Sequence, residues 1–249
     1  EESSYQTLID TLDYLDRLGV TAIELMPVNE FEGNLSWGYN PAFHLALDKY
    51  YGTQNAFKAF VDAAHARGIA VILDVVLNHA YGRSPIIRLW NEGDYGPPTS
   101  ENPYANTVAK HPYNVGYDLN HESAATRYFS KRVMQYWLEE YNIDGFRFDL
   151  SKGFTQVDNV NDVGAWGSYD ASRIAIWKDY NNFIRSIDST AYVILEHFAD
   201  NSEEKALVNE GMLVWGNMNH EYNEATMGYN SDLRGVLASH RGFSKRNLI

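Results

Sequence analysis

Asp144-Gly145-Phe146-Arg147-Phe148-Asp149-Leu150 is the stretch that decides how this chain folds. It follows an amphipathic helix and a turn at Asn142, and it has the form of a short buried strand. Side chains alternate faces along a strand, so Phe146 and Phe148 point one way and Arg147 and Asp149 the other. A guanidinium and a carboxylate two residues apart on one buried face keep each other charged, and the permanently cationic Arg147 favours the ionised form of Asp149. An ionised carboxylate at the C-terminal end of an inner strand is placed to act as a nucleophile. On this segment alone, a buried ion pair that only fixes the strand accounts for the pattern equally well.

The flanking segments alternate between helical and strand patterns. Upstream, apolar residues at Tyr5, Leu8, Ile9, Leu12, Leu15 and Leu18 form a helical stripe that Gly19 ends. Residues 20–28 form a largely apolar strand, stopped at Pro27, and a turn-rich stretch occupies 29–52. A helix begins at Thr53 or Asn55 with Phe57, Phe60, Val61 and Ala64 on one face. After it, residues 69–77 form an apolar strand interrupted only by Asp74. Residues 80–121 read as an irregular insertion rich in Pro, Gly, Asn and Tyr, a length of loop that usually carries function. Ser123 caps a helix running through Trp137 and Leu138 into the Asp149 strand.

Downstream come a loop at 153–169, a helix carrying Ile174, Trp177, Tyr180 and Ile184, and a strand at 192–198. A short helix capped by Ser202, a strand at 212–217 and a helix near 231–238 complete the pattern. Alternating helices and nearly continuous apolar strands imply parallel strands buried on both faces, with five strands in view.

Composition narrows the partners. At 249 residues the chain can bury a large core as one domain or two small ones. A net charge of -13 argues against nucleic acid or an anionic membrane as partner. Without cysteine there are no disulfides and no thiolate metal site. No apolar run reaches membrane-spanning length. The chain opens with Glu1-Glu2-Ser3-Ser4 directly into a helix, as if cut from something longer.

Polar residues collect at the C-terminal ends of these strands: Asp74, Asn78 and His79 after one, Arg147 and Asp149 after the next, Glu196 and His197 after a third. Active sites of parallel barrels and open α/β sheets assemble at that edge. Asp149 has Arg147 beside it, whereas Glu196 follows the apolar Val193-Ile194-Leu195, a setting that disfavours its charge. Two carboxyl groups whose environments push their pKa values apart are the pattern for glycoside hydrolysis.

DVVLNH at 74–79, GFRFDLSKG at 145–153 and ILEHF at 194–198 resemble three sequence signatures of the α-amylase family, glycoside hydrolase family 13. WGYNP at 37–41 is similar to a fourth feature, in the form shared by branching and debranching members. The resemblance implies a (β/α)8 TIM barrel. Residues 1–249 would be a partial catalytic domain covering strands two to six, with the 80–121 insertion after strand three. It also implies retaining, α-amylase-like hydrolysis of α-glucosidic bonds in starch- or glycogen-type glucans through a covalent glycosyl–Asp149 intermediate. Branching, debranching or other transglycosylating action is the alternative, and a non-catalytic glycan-binding relative a further one.

By the same resemblance, Asp149 is the nucleophile and Glu196 the general acid/base, with Arg147 holding Asp149. Tyr39 stacks on the sugar, Trp37 belongs to the same substrate-binding loop, and His79 hydrogen-bonds sugar hydroxyls. Lys152 touches the sugar on the leaving side, and His197 either faces the cleft or is an orienting or packing histidine. Asp74 anchors the strand end by pairing with Arg147. Asn78 corresponds to a calcium ligand in many α-amylases, but a plain rim hydrogen bond is the reading taken here, with no metal or cofactor required. The partner is an α-glucan oligo- or polysaccharide, and a polysaccharide degrader favours an extracellular or periplasmic location.

The family pattern also needs a third carboxylate in a His-Asp pair. This chain has His240-Arg241 followed by Gly242-Phe243, so the pair is expected beyond Ile249 and the chain alone is expected to be inactive. Trp215 and His220 line the rim or, the preferred reading, serve core or loop packing; the insertion's aromatics (Tyr81, Trp90, Tyr95, Tyr104, Tyr113, Tyr117) form a sugar platform or, for most of them, pack that insertion.

Overall fold

Ser4 opens the first helix by accepting a hydrogen bond from the Thr7 N–H, which satisfies one of the donors a first turn leaves free. The computed structural model describes residues 4–216 and, beyond them, Asn223, Thr226 and Met227. In chain order it comprises α1 (Tyr5–Arg17), β1 (Ala22–Leu25), β2 (Asn29–Phe31), β3 (Pro41–Leu47), α2 (Gln54–His65), β4 (Ala70–Val75), β5 (His79–Ala80), α3 (Pro85–Arg88) and β6 (Tyr117–Asp118). Then follow α4 (Ala124–Tyr141), β7 (Gly145–Phe148), a 3-10 turn (Ser151–Phe154), α5 (Val163–Gly167), α6 (Ala171–Ile187), β8 (Tyr192–Leu195), α7 (Asn201–Asn209) and β9 (Leu213–Val214).

The main sheet has the order β1-β4-β7-β8-β9, every neighbouring pair parallel. Helices return the chain between these strands, which is the connection parallel pairing demands. The order is that of five consecutive strands of a (β/α)8 barrel. One row of side chains faces the helices: Leu25, Val71, Leu73, Val75, Phe146, Phe148, Val193, Leu195 and Val214 join Phe57, Phe60, Trp137 and Trp177 in the main core. The Phe148 ring is fully buried and meets Trp177 edge-on at 4.9 Å. Burying such a ring is worth roughly 1.5–3 kcal/mol. The alternate row, with Asp74 and Arg147 side by side in register, faces the inside of the arc.

Three details differ from the sequence reading. The 29–52 stretch holds the antiparallel pair β2–β3. In β3 the usual polarity is inverted: His44 is buried while Phe43 and Leu45 are exposed, so alternation could not reveal it. The cap of α7 is Asp200, whose carboxylate accepts from the Ser202 N–H, and Ser202 lies inside the helix. Between β5 and β6, which pair with each other, the chain builds α3 and a small apolar cluster of Ala80, Ile86, Ile87, Ala105 and Leu119. Asn217, His220, the helix expected near 231–238, His240-Arg241 and the terminal strand lie outside the described residues. Among the described residues no helix is long and apolar enough to cross a membrane.

Candidate active site

Each strand of the arc passes its next residue to the neighbouring carbonyl. Asp149 N–H donates to Val75 O (3.1 Å), Glu196 N–H to Phe148 O (3.2 Å) and Trp215 N–H to Leu195 O (3.1 Å). This stepped register brings side chains from β4, β7, β8 and β9 to the C-terminal rim of the sheet. Arg147 stands at their centre, 3% exposed. Its Nη1 donates to both carboxylate oxygens of Asp74 (2.8 Å each) and to Asp149 Oδ1 (3.0 Å), while Nη2 lies 3.0 Å from Glu196 Oε2. A guanidinium fork suits this multidentate grip, which a lysine could not reproduce.

Each carboxylate has further partners. Tyr39 O–H donates to Asp74 Oδ2 at 2.7 Å. The Asn78 amide donates to Asp149 Oδ2 and to Asp149 O, both at 3.0 Å. Leu150 N–H donates to Glu196 Oε2 at 2.9 Å. Leu150 holds that amide in place with a left-handed backbone, φ 43° and ψ 46°, uncommon for a residue with a side chain. Burial pushes the Glu196 carboxyl above the usual carboxylate range, and the neighbouring Asp149 carboxyl adds to this through charge and a hydrogen bond. The Leu150 amide and Arg147 pull the other way. Burial likewise pushes Asp74 up to about 7 against the attraction of Arg147. A carboxyl that retains its proton can serve as an acid, and Glu196 has that setting.

The structure therefore gathers Asp74, Arg147, Asp149, Glu196, Asn78 and Tyr39. His79 adjoins them but is buried, with Nδ1 against Asn78 Oδ1 and Nε2 2.8 Å from Tyr39 O, so its ring braces the Tyr39 loop. Lys152 is half-buried, its Nζ donating to Phe198 O at 2.9 Å and lying 4.1 Å from the Trp166 ring centre. Trp37, 77% exposed, lines an apolar cavity of about 360 Å³ with Tyr5, Leu8, Leu25 and Met26 that none of the carboxylates borders.

His197 is a correction to the reading that it faces the cleft. Its ring is fully buried, with Nδ1 2.9 Å from Ser151 Oγ and Nε2 2.7 Å from Glu203 Oε1, so neither nitrogen is free for a sugar. Trp215, for which the sequence favoured packing over a place on the rim, lies at the site. Its ring lies 4.2 Å from the Arg147 guanidinium, a contact that no motif announced and only the β8–β9 register reveals. Ser151 and Glu203 were missed for the same reason.

Among the described residues, no group of three or more His, Asp or Glu side chains could hold a metal ion. Both ends of the Asn78 amide are spent on Asp149 and His79.

Comparison with known proteins agrees with this architecture. The profile described as "Alpha amylase, catalytic domain" matches residues 4–88 and 109–241 and skips 89–108, inside the β5–β6 segment. A malto-oligosyltrehalose trehalohydrolase of Saccharolobus solfataricus is 36% identical over 149 residues, 59% of this chain and 25% of that protein. A pullulanase of Bacillus subtilis is 35% identical over 172 residues, 60% of this chain and 22% of that protein. A 1,4-alpha-glucan branching enzyme of Shewanella baltica is 36% identical over 165 residues, 65% of this chain and 21% of that protein. The chain thus spans about a quarter of the length of these relatives. The trehalose-6-phosphate hydrolase of Bacillus licheniformis superposes with a TM-score of 0.71 at 20% identity, covering 94% of this chain and 49% of that one, which shows the shared fold. With the strand order, the rim of carboxylates and a profile match over most of its length, the chain belongs to the α-amylase catalytic-domain family.

Proposed function

We propose that the protein carrying this chain cleaves α-glucosidic bonds of starch- or glycogen-type glucans with retention of configuration. One observation carries this reading: Asp149 and Glu196, from adjacent strands, are held at 3.0 Å each by the two ends of a single guanidinium. Retaining enzymes need their two carboxyls about 5–5.5 Å apart, whereas inverting ones leave about 6.5–9.5 Å for a water between them. Two carboxyls tied to one guanidinium support the shorter spacing.

Asp149 attacks the anomeric carbon as the bond to the leaving sugar oxygen breaks, and the Glu196 proton passes to that oxygen. Glu196, now a carboxylate, then takes a proton from water, which attacks the same carbon and frees Asp149. Transfer is the second reading, favoured by the 36% identity to a branching enzyme. The same site would accept a sugar hydroxyl in place of water.

The test is turnover of soluble starch and glycogen by the intact protein, followed by NMR of the first-formed anomer. Asp149→Ala should lower turnover roughly 10⁴-fold or more, the scale of removing a nucleophile, and the product should appear as the α-anomer. Wild-type turnover in Asp149→Ala, or an initial β-anomer, rejects the reading.

A further inference from the structure

Two loops leave the sheet beside the carboxylates, one after β7 and one after β8, and they are laced together residue by residue. Leu150 N–H donates to Glu196 Oε2, Ser151 N–H to Glu196 O (3.1 Å), and Lys152 Nζ to Phe198 O. Ser151 Oγ stands 2.8 Å from Glu196 O and 2.9 Å from His197 Nδ1. From there the chain of contacts runs inward. His197 Nε2 meets Glu203 Oε1 at 2.7 Å, and Glu203 is gripped by Arg173 Nε (2.6 Å), Arg173 Nη2 (2.8 Å) and the Asp170 N–H (2.8 Å). Ser151, His197, Glu203 and Arg173 are each at most 1% exposed. Leu150 and Phe198, the outer ends of the two laced segments, both have left-handed backbones, φ 43° and 51°.

The proton count gives this chain a direction. Burial alone would raise the Glu203 carboxyl, but the bonds from His197 and Arg173 hold it below the usual range, so it only accepts. His197 Nε2 must then carry a proton, leaving Nδ1 to face the Ser151 hydroxyl. That hydroxyl has one proton for two acceptors; given to His197 Nδ1 it satisfies the ring, while the Glu196 carbonyl keeps the Ser151 N–H and stays in contact with Oγ. A buried polar chain with every member satisfied is stiff, because breaking any link strands a polar group away from water. Such stiffness also offsets the cost of two left-handed non-glycine residues, which survive only where their surroundings over-determine them.

We infer that Ser151, His197 and Glu203 are positioning residues that hold the Glu196 backbone, and so aim its carboxyl at the leaving-group oxygen. Their arrangement repeats the order of a Ser-His-acid triad but does different work. Ser151 is sealed from substrate and its oxygen is occupied, so it attacks nothing. This proposal rests on Glu196 being the acid, and the experiment separates the two ideas.

In the intact protein, Ser151→Ala and Glu203→Gln should each lower kcat on an α-glucan about 10- to 100-fold, the cost of a misaimed group, with KM little changed. On α-glucosyl fluoride, whose leaving group needs little acid assistance, the loss should shrink to a few-fold. The double variant should match the worse single one on the glucan, since both cut one chain. An equal loss on both substrates, or no loss at all, overturns the proposal and leaves the cluster a packing device. Glu196→Gln serves as the control: if it shows no dependence on the leaving group, the assignment of the acid has failed instead. Circular-dichroism melts of the variants check folding. Ser151→Ala deletes only a hydroxyl and keeps the test available if Glu203→Gln unfolds.

Discussion

At Arg147, three carboxylates and one indole meet. Asp74, Asp149 and Glu196 hold the guanidinium by its edge, and Trp215 covers its face at 4.2 Å. A desolvated cation–π contact of this kind contributes about 2 kcal/mol. It also shields the charge that orders the carboxylates. Trp215→Ala should therefore lower kcat/KM about tenfold. Because burial is the main cause that raises the Glu196 carboxyl, admitting water should bring it down. The acid must be protonated to work, so the alkaline limb of the pH–rate profile should move to lower pH. Trp215→Phe should retain part of the effect. A limb that stays put in Trp215→Ala would mean the ring merely fills space. Arg147, Asp149 and Glu196 were legible because strand alternation and position at the rim mark them. The Trp215 contact with Arg147 and the bonds of His197 to Ser151 and Glu203 were not, since they depend on which neighbour the fold supplies.

Among the elements, β7 shows how tightly that register is set. Gly145 opens the strand with φ 153°, and a Cβ there would meet Tyr192 O at 2.3 Å and Tyr192 N at 2.5 Å. The backbone of β8 is thus pressed against β7 where a side chain would keep them apart. Gly145→Ala should cost roughly 2–4 kcal/mol through strain and overpacking, read as a lower urea midpoint. An unchanged midpoint would show that the strands can separate without cost. Helices were the easier elements to read, because Ser123 and Thr53 cap and the apolar periods of α2, α4 and α6 agree with burial. By contrast, β3 escaped because its outward face is apolar and its inward face holds His44, which bonds to Val76 O. Tertiary context there overrides the pattern that sequence reading relies on.

Over the whole molecule, buried histidines tie stability to pH. Burial drives His44 and His79 down to about 4 and His121 to about 3. A histidine kept neutral in the fold but free to charge when unfolded gives stability that is present above its unfolded value near 6.5 and lost as pH falls toward the folded value. The window therefore runs from about pH 6.5 down to about 4 for His44 and His79 and about 3 for His121. Asp74 works with the opposite sign: its carboxyl, raised from 3.8 to about 7, contributes below 3.8 and loses that contribution as pH rises through 7. A bare pH scan would mix the two, so the informative quantity is a difference between variants. His121 is stacked on Phe154 at 3.7 Å, with Nδ1 2.7 Å from Tyr180 O–H, Nε2 2.7 Å from Leu77 O and Arg127 nearby. His121→Gln can still donate to Leu77 but cannot take a charge. It should be less stable than wild type at pH 7.5, where the histidine packs and bonds at no ionisation cost. Between pH 7.5 and 4, that gap should narrow by about 3 kcal/mol, which is the differential proton affinity of one histidine. Denaturation at both pH values measures it, and a gap that stays constant would show that His121 is not held neutral by its burial.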